Sequence, residues 1–341
     1  MDLLPVLEQL IAGRPLSQAT AGEVISSIMR GEIAPALMAA LLTAWRCKGE
    51  TVEEIVGAAE AMRAHALRIP TTHEEIIDTC GTGGDQSGSF NISTTTAFVV
   101  AGAGVAVAKH GNRSASSRCG SIDLLEQLGV NVNLSPESIG RCLDEAGIAI
   151  LFARVVHPAM RHAAPVRTEL GIRTIFNWLG PLTNPAKPAF QLVGISNRNV
   201  METYAACLQR LGIRRAWVVC GMDGLDEITL TGPTAVLEVT PEAIAPLSID
   251  PESVGLKTGS RDCLKGGTPE ENARITRNIL SGEEQSPRRD AILLNAGAAL
   301  HIAGKASSPV EGIRMAADSI DSGKANKALE RLITISRRDK K

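Results

Sequence analysis

Asp78-Thr-Cys-Gly-Thr-Gly-Gly-Asp-Gln-Ser-Gly-Ser-Phe-Asn-Ile-Ser-Thr94 is the stretch on which the reading of this chain turns. The apolar pair Ile76-Ile77 ahead of it reads as a strand end. Gly81, Gly83, Gly84 and Gly88 follow, interleaved with Thr82, Asp85, Ser87 and Ser89. Asn91-Ile-Ser-Thr94 then opens an apolar helix. Glycine lets a backbone turn tightly and approach a ligand closely. The unpaired N–H groups of a helix start favour an anion. Strand, glycine loop and helix in this order predict a phosphate cradle. No Gly-Lys-Ser/Thr closes the loop, so it is not a P-loop. The glycine spacing also differs from the dinucleotide fingerprint.

Upstream, residues 2 to about 70 read as helices. Leu3, Leu4, Leu7, Leu10 and Ile11 recur at helical spacing, and Val24, Ile25, Ile28 and Met29 repeat the pattern before Gly31. Pro35 suits the first turn of an Ala36–Trp45 helix. Thr51-Val-Glu-Glu54 is a capping box for a helix running to about Arg68 and closed by Pro70. Downstream, apolar runs alternate with helical ones. Val105–Ala108, Ile148–Phe152, Phe190–Ile195 and Ala216–Cys220 are candidate strands, with crossover helices between them. That alternation predicts a parallel sheet covered on both faces. Two short strands, Ile228–Thr231 and Ala235–Val239, are expected around Gly232-Pro233. The fold class is therefore α/β, a small all-helical domain plus a larger domain with a mostly parallel central sheet flanked by helices. The helical domain covers residues 1–72 and is rejoined by about 158–185. The α/β domain covers 73–157 and 186–341.

Two further clusters carry chemistry. Val105–Ala108 delivers Lys109-His-Gly-Asn-Arg-Ser-Ala-Ser-Ser-Arg118-Cys-Gly-Ser121, read as a loop crowded with cations and hydroxyls. A lysine point charge, arginine forks and hydroxyl donors suit a phosphate ester. A solvated surface loop is the bland alternative. Gly221-Met-Asp-Gly-Leu-Asp226-Glu227 follows the next candidate strand. Adjacent carboxylates beside phosphate loops suit Mg²⁺, although acids in turns are often only solvated. No Ser/His/Asp arrangement and no zinc-type spacing accompanies them. The chemistry implied is positioning plus charge stabilisation of a leaving group.

Composition narrows the classes. The 341 residues are 44% hydrophobic but only 3% aromatic, with net charge −2. That argues against a base-stacking platform and against a broad electrostatic grip on nucleic acid. Seven cysteines without a Cys-x-x-Cys pair suit free thiols in a reducing cytoplasm. The N-terminus lacks a basic signal region, and the apolar stretches are too short to span a bilayer. A cytoplasmic protein without membrane or nucleic-acid partners is expected.

Taken together, Asp78–Asp85, Asn91–Thr94, Lys109–Arg113, His157-Pro-Ala-Met160, Gly171–Asn177, Leu179–Pro185 and Gly224–Ile228 resemble the anthranilate phosphoribosyltransferases, which share a nucleoside phosphorylase-like fold. The likeness covers nearly the whole chain. It implies transfer of 5-phosphoribose from 5-phosphoribosyl 1-diphosphate (PRPP) to the amino group of anthranilate, a step of tryptophan biosynthesis. It implies that PRPP is held by Gly81, Gly84, Asp85, Ser89, Asn91, Ile92, Ser93, Thr94, Lys109, His110, Gly111, Asn112, Arg113, Ser114, Ala115, Ser116, Ser117 and Ser121. Gly81, Asn112 and Arg167 would contact anthranilate. Ser93, Asp226 and Glu227 would bind Mg²⁺, two ions per subunit. Lys109 and Arg167 would take part in catalysis through charge, and His110, read as the only histidine near the substrate loops, would relay a proton. A homodimer through the helical domain is expected. Cys119 stands where a hydroxyl or glycine is expected, and Cys220 where the family often has histidine; an exposed Cys119 would make the enzyme sensitive to thiol reagents. A pyrimidine nucleoside phosphorylase is the alternative enzyme. It would carry a lysine followed by serines at 109 and would lack the Asp226-Glu227 pair. A non-catalytic relative would lose Asn112 and Arg167 or gain a basic surface.

Overall fold

The computed structural model describes residues 2–114 and 118–338. Four helices lead: α1 (Leu4–Ile11), α2 (Gln18–Met29), α3 (Pro35–Lys48) and α4 (Val52–Ala64). Pro35 sits in the first turn of α3, where a missing N–H leaves nothing unpaired. Thr51 and Glu54 form the expected capping box of α4. That helix stops short of Arg68, and the Leu67 N–H turns instead to the Val156 carbonyl at 2.9 Å.

The rest alternates: β1 (Ile76–Asp78), α5 (Ile92–Gly102), β2 (Ala106–Gly111), α6 (Ser121–Leu128), α7 (Pro136–Ala146), β3 (Ile148–Phe152) and the single turn α8 (Ala153–Val156). Then come α9 (Ala164–Leu170), α10 (Phe176–Leu182), β4 (Phe190–Gly194), α11 (Met201–Arg210), β5 (Arg215–Gly221), β6 (Thr234–Val239) and β7 (Ile244–Ile249). Helices α12 (Pro269–Leu280), α13 (Pro287–Ile302), α14 (Pro309–Asp321) and α15 (Lys324–Ser336) complete the chain. The strands form one sheet in the order β3-β2-β1-β4-β5-β6-β7. The pairs from β3 through β5 are parallel, and β6 pairs antiparallel with both β5 and β7.

Two apolar cores lie on either side of the sheet. One gathers α5, α6, α7 and α12 to α15 against the strands. The other joins α1 to α4 with α9, α10 and α11 against Val193, Ala216 and Val218. The segment between β3 and β4 therefore packs with the N-terminal helices, and Arg63 Nε donates to the Leu182 carbonyl at 2.7 Å. From β1 the chain moves to β2 and β3 on one side, then returns to β4 and β5 on the other. The crevice beyond the carboxyl ends of β1 and β4 is the switch point where open α/β sheets bind ligands.

Two sequence expectations are corrected. Ile228–Thr231 is not a strand. Asn295 holds both the N–H and the carbonyl of Ile228, at 3.0 and 2.9 Å, and the Thr229 and Thr231 hydroxyls donate to Asp223. Side chains satisfy that backbone, so it needs no ladder. β6 pairs with β5 and with β7, and β7 is the strand the sequence reading missed. Lys109-His110-Gly111, read as loop, continue β2 and pair with Ile150, Leu151 and Phe152. No helix among the described residues is long and apolar enough to cross a membrane, and none of the seven cysteines is joined in a disulfide.

Candidate active site

The glycine loop leaves β1 and crosses the ends of β4 and β5. Thr82 N donates to the Gly194 carbonyl, and Gly83 N donates to Asp226 Oδ2, both at 2.9 Å. Gly194 makes this approach possible, because a Cβ there would lie 1.5 Å from the Asp226 carbonyl oxygen. Gly81 faces the same carboxylate: its Cβ would lie 3.2 Å from Asp226 Oδ2. Gly83 and Gly84 have φ of +69° and +82°, which only glycine adopts without strain.

At the start of α5, Asn91 gives no side-chain cap. Glu227 does the capping from another loop, its Oε1 accepting from Ser93 N at 3.1 Å. Lys109, buried, donates to Ser93 Oγ at 3.2 Å and to the Thr79 carbonyl at 3.3 Å. Ser93, Lys109, Asp226 and Glu227 thus meet in one place. Ile92 and Thr94 are buried beside them in the first turn of α5. Asn91 serves a different purpose. Its Nδ2 donates to the Cys119 carbonyl at 3.2 Å, and its Oδ1 accepts from Asn272 Nδ2 at 2.8 Å. Asn272, which sequence reasoning did not single out, also accepts from Gly267 N at 2.8 Å. Ser89 is bridged in antiparallel fashion to Lys265. The glycine loop is therefore tied to the residues before α12.

Charge in this cleft is unbalanced. Burial pushes Glu227 up to about 8, with the Asp226 charge adding to it. Asp226 is raised as well, by burial and then by Asp85. Asp85 Oδ2 is buried and meets no donor among the described residues. Three carboxylates thus face one lysine. Among the described residues no three His, Cys, Asp or Glu side chains are set as a complete metal cage. The donors present are carboxylates and a hydroxyl, all oxygen. That set fits Mg²⁺, which takes one or two carboxylates and fills its shell with water and phosphate oxygens.

The basic loop divides its residues between support and site. Arg113 pairs with Asp123 and Glu126, at 3.0 and 2.7 Å, and lies over the Phe152 ring. Its charge is committed to α6. Asp123 also accepts from Ser114 N and Gly120 N. Ser121 Oγ donates to the Asn112 carbonyl at 3.1 Å, and a Cβ on Gly111 would meet that hydroxyl at 2.4 Å. Ala115, Ser116 and Ser117 lie outside the described residues. Cys119 is buried and its thiol is pushed up to about 11, so the exposed, reactive thiol considered from the sequence is not there.

His110 is buried, and its Nδ1 lies 2.9 Å from the Gly180 carbonyl, which fixes that nitrogen as the donor. Burial lowers its pKa to about 4, and Nε2 has no partner among the described residues. It is not the only histidine here. The His157 ring packs edge-on at 5.2 Å, and burial with the His110 charge takes it to about 3. The signal for His157 lies in the His157-Pro-Ala-Met160 motif, from which sequence reasoning drew no role for the imidazole. Beneath them, buried Asp78 accepts from His110 N at 3.3 Å and from Asn184 Nδ2 at 2.8 Å. Arg167, on α9, lies over the Phe176 ring at 5.1 Å and pairs with no carboxylate among the described residues. Burial draws its pKa below the usual guanidinium value.

This geometry has relatives. Residues 4–66 match the helical bundle domain of a glycosyl transferase family, and residues 73–326 match that family's a/b domain. An anthranilate phosphoribosyltransferase of Rubrobacter xylanophilus is 53% identical over 332 residues, 97% of each chain. The chain belongs to the anthranilate phosphoribosyltransferase family. Another member, from Moorella thermoacetica, is 53% identical over 96% of each chain. The solved anthranilate phosphoribosyltransferase of Thermus thermophilus superposes with a TM-score of 0.92 at 46% identity, covering 97% of this chain and 99% of that one. The Saccharomyces cerevisiae enzyme in complex with PRPP and Mg gives 0.91 at 27% identity, covering 98% and 97%.

Two outcomes follow for this family member. In Gly194→Ala the added methyl must displace Asp226. We expect kcat/KM to fall about 100-fold or more, since a displacement near 1 Å costs that much. The Mg²⁺ concentration for half-maximal rate should rise, with the far-UV circular dichroism unchanged. Steady-state kinetics against Mg²⁺ concentration checks this. The second outcome concerns pH. In the unfolded chain the two imidazoles gain protons near 6.5, but in the folded chain only near 4 and 3. The unfolded state binds more protons between those limits. The stability carried by the neutral rings is complete above pH 6.5 and is lost as pH falls toward 4. His157→Asn should therefore lose less stability between pH 7 and pH 5 than the wild type, measured by urea denaturation.

Proposed function

We propose that the protein transfers 5-phosphoribose from PRPP to the amino group of anthranilate and releases diphosphate. The observation that carries this is the meeting of the glycine loop, Lys109 and the Asp226-Glu227 pair beyond the ends of β1, β2, β4 and β5. Gly81, Gly84, Asp85, Ser89, Asn91, Ser93, Thr94, Lys109 and Ser121 would line the PRPP path. Ser93, Asp226 and Glu227 would hold Mg²⁺, which when bound screens the diphosphate and steadies it as a leaving group. Asp85, beside Asp226, leaves one carboxylate more than the one or two a single Mg²⁺ takes, which favours two ions per subunit.

The chain's own groups account for the remaining demands. As the bond at the anomeric carbon lengthens, negative charge grows on the diphosphate, and Lys109 is the buried cation beside it. Arg167 is already desolvated and has no acidic partner among the described residues, so an aryl carboxylate would complete it. That reading supports Gly81, Asn112 and Arg167 as the anthranilate side. The arylamine attacks as a neutral base. His110, neutral with a free Nε2, is an acceptor for its N–H. A base of pKa about 4 takes up a proton only from a strong acid, and the N-ribosylated arylammonium is one.

The test is the loss of anthranilate fluorescence on mixing protein, PRPP and Mg²⁺. Emission should fall with time and hold steady when the metal is chelated. Equilibrium dialysis with PRPP should count two Mg²⁺ per chain. Unchanged emission would sink this reading and favour a phosphorylase.

We also propose a homodimer. A groove of about 470 Å³ runs between α1 and α3, lined by Leu7, Leu10, Ile11, Ala40 and Ala44. Ile11 on its wall is 71% exposed, and Leu4 on the same helix 62%. Two such faces would bury each other's apolar surface. Sedimentation equilibrium should give a dimer for the wild type and a monomer for the Leu4→Asp/Ile11→Asp double variant.

A further inference from the structure

The cleft has one cation in excess of those already assigned. Arg173 lies between α9 and α10, on the segment that packs with the N-terminal helices. Its Nη1 is 3.4 Å from where a Cβ of Gly84 would sit. It is exposed, and among the described residues it forms no ion pair and no hydrogen bond. Its anchor is firm, because the next residue, Thr174, is buried and donates its N–H to Asn177 Oδ1 at 2.9 Å. The Gly84 N–H beneath it also has no partner among the described residues. A guanidinium and a backbone donor without a partner among the described residues thus lie at the same point of the glycine loop.

Arg113 and Lys109 are engaged elsewhere. Arg113 is spent on Asp123 and Glu126. Lys109 lies below the loop, with its ammonium turned to Thr79 and Ser93. Diphosphate carries several charges and many acceptor oxygens, and the planar guanidinium fork matches two of them at once.

We infer that Arg173 binds the diphosphate of PRPP, reaching over the glycine loop from the helical side of the cleft. This rests on the phosphoribosyl transfer proposed above. The fork takes non-bridging phosphate oxygens beside the Gly84 N–H, and its hydrogen bonds strengthen as charge builds on the departing group.

The experiment uses Arg173→Ala, Arg173→Gln and Arg173→Lys in the full chain. Calorimetry with inorganic pyrophosphate and Mg²⁺ measures binding apart from transfer. Steady-state fluorescence then gives kcat and the two KM values. Losing one such donor should lower kcat/KM for PRPP about 100-fold in R173A and R173Q. Pyrophosphate affinity should fall with it, while R173K recovers part of both. The KM for anthranilate should stay within about threefold, since the guanidinium contacts the other substrate. The thermal midpoint should not move, because Arg173 makes no hydrogen bond to any described residue. Unchanged pyrophosphate binding, or a rise confined to the anthranilate KM, would overturn the assignment. If the wild type binds pyrophosphate but leaves anthranilate untouched, the transfer reading fails, and weaker pyrophosphate binding in R173A still supports the arginine's role.

Discussion

Asp226 reaches the glycine loop only because residue 194 has no side chain. The carbonyl of Gly194 takes the Thr82 N–H, and its Cα lies against the Asp226 backbone. Those two contacts set the distance between the phosphate loop after β1 and the acidic loop after β5. Everything charged in the cleft is then positioned from either side of that junction. Asp223 braces the acidic loop by accepting both threonine hydroxyls, and Asn295 pins its far end. The carboxylates consequently arrive on a stiff arm, which suits a cation that demands near-ideal geometry.

The arrangement also has a cost in charge. Asp85, Asp226 and Glu227 are drawn together where water is largely excluded, and two of them are pushed toward protonation. Such a cluster is poor as a structural device, because buried like charges destabilise the fold. It becomes favourable only when positive charge joins it. For the present, Gly83 N–H and Ser93 N–H occupy the carboxylates. The same two N–H groups belong to the loop and helix start in which the sequence leads one to expect anion donors. Acidic side chains and backbone donors therefore satisfy one another across the cleft.

Much of this is legible in the residues. The strand, glycine loop and helix at 76–102 have their expected order, because glycine spacing and an apolar helix run are local signals. Ser93, Lys109, Asp226 and Glu227 each stand out in their own stretch of chain, and the fold brings them together. What escapes has a tertiary cause. Residues 228–231 look like a strand by composition, but Asn295 and Asp223, both far away or off-strand, take their backbone and hydroxyl groups. Arg113 has the chemistry of a phosphate ligand, yet Asp123 and Glu126 one and two turns into α6 claim it. Nothing local marks Asn272 or Arg173, whose meaning comes only from what lies across the cleft. The His110–His157 contact likewise joins a strand end to a segment that leaves the sheet.

The ends of the sheet say something about company. At one margin β3 is buried along its whole length, so its backbone faces packed protein. At the other, β7 carries Pro246 opposite Leu237. Proline cannot extend a ladder, and its position on an outermost strand is a common guard against unwanted pairing. Neither margin invites a strand from another molecule. Copies of this chain that meet in a crowded cell are thus kept from stitching their sheets together. Exposed apolar surface lies instead on a helix, at Leu4 and Ile11 of α1.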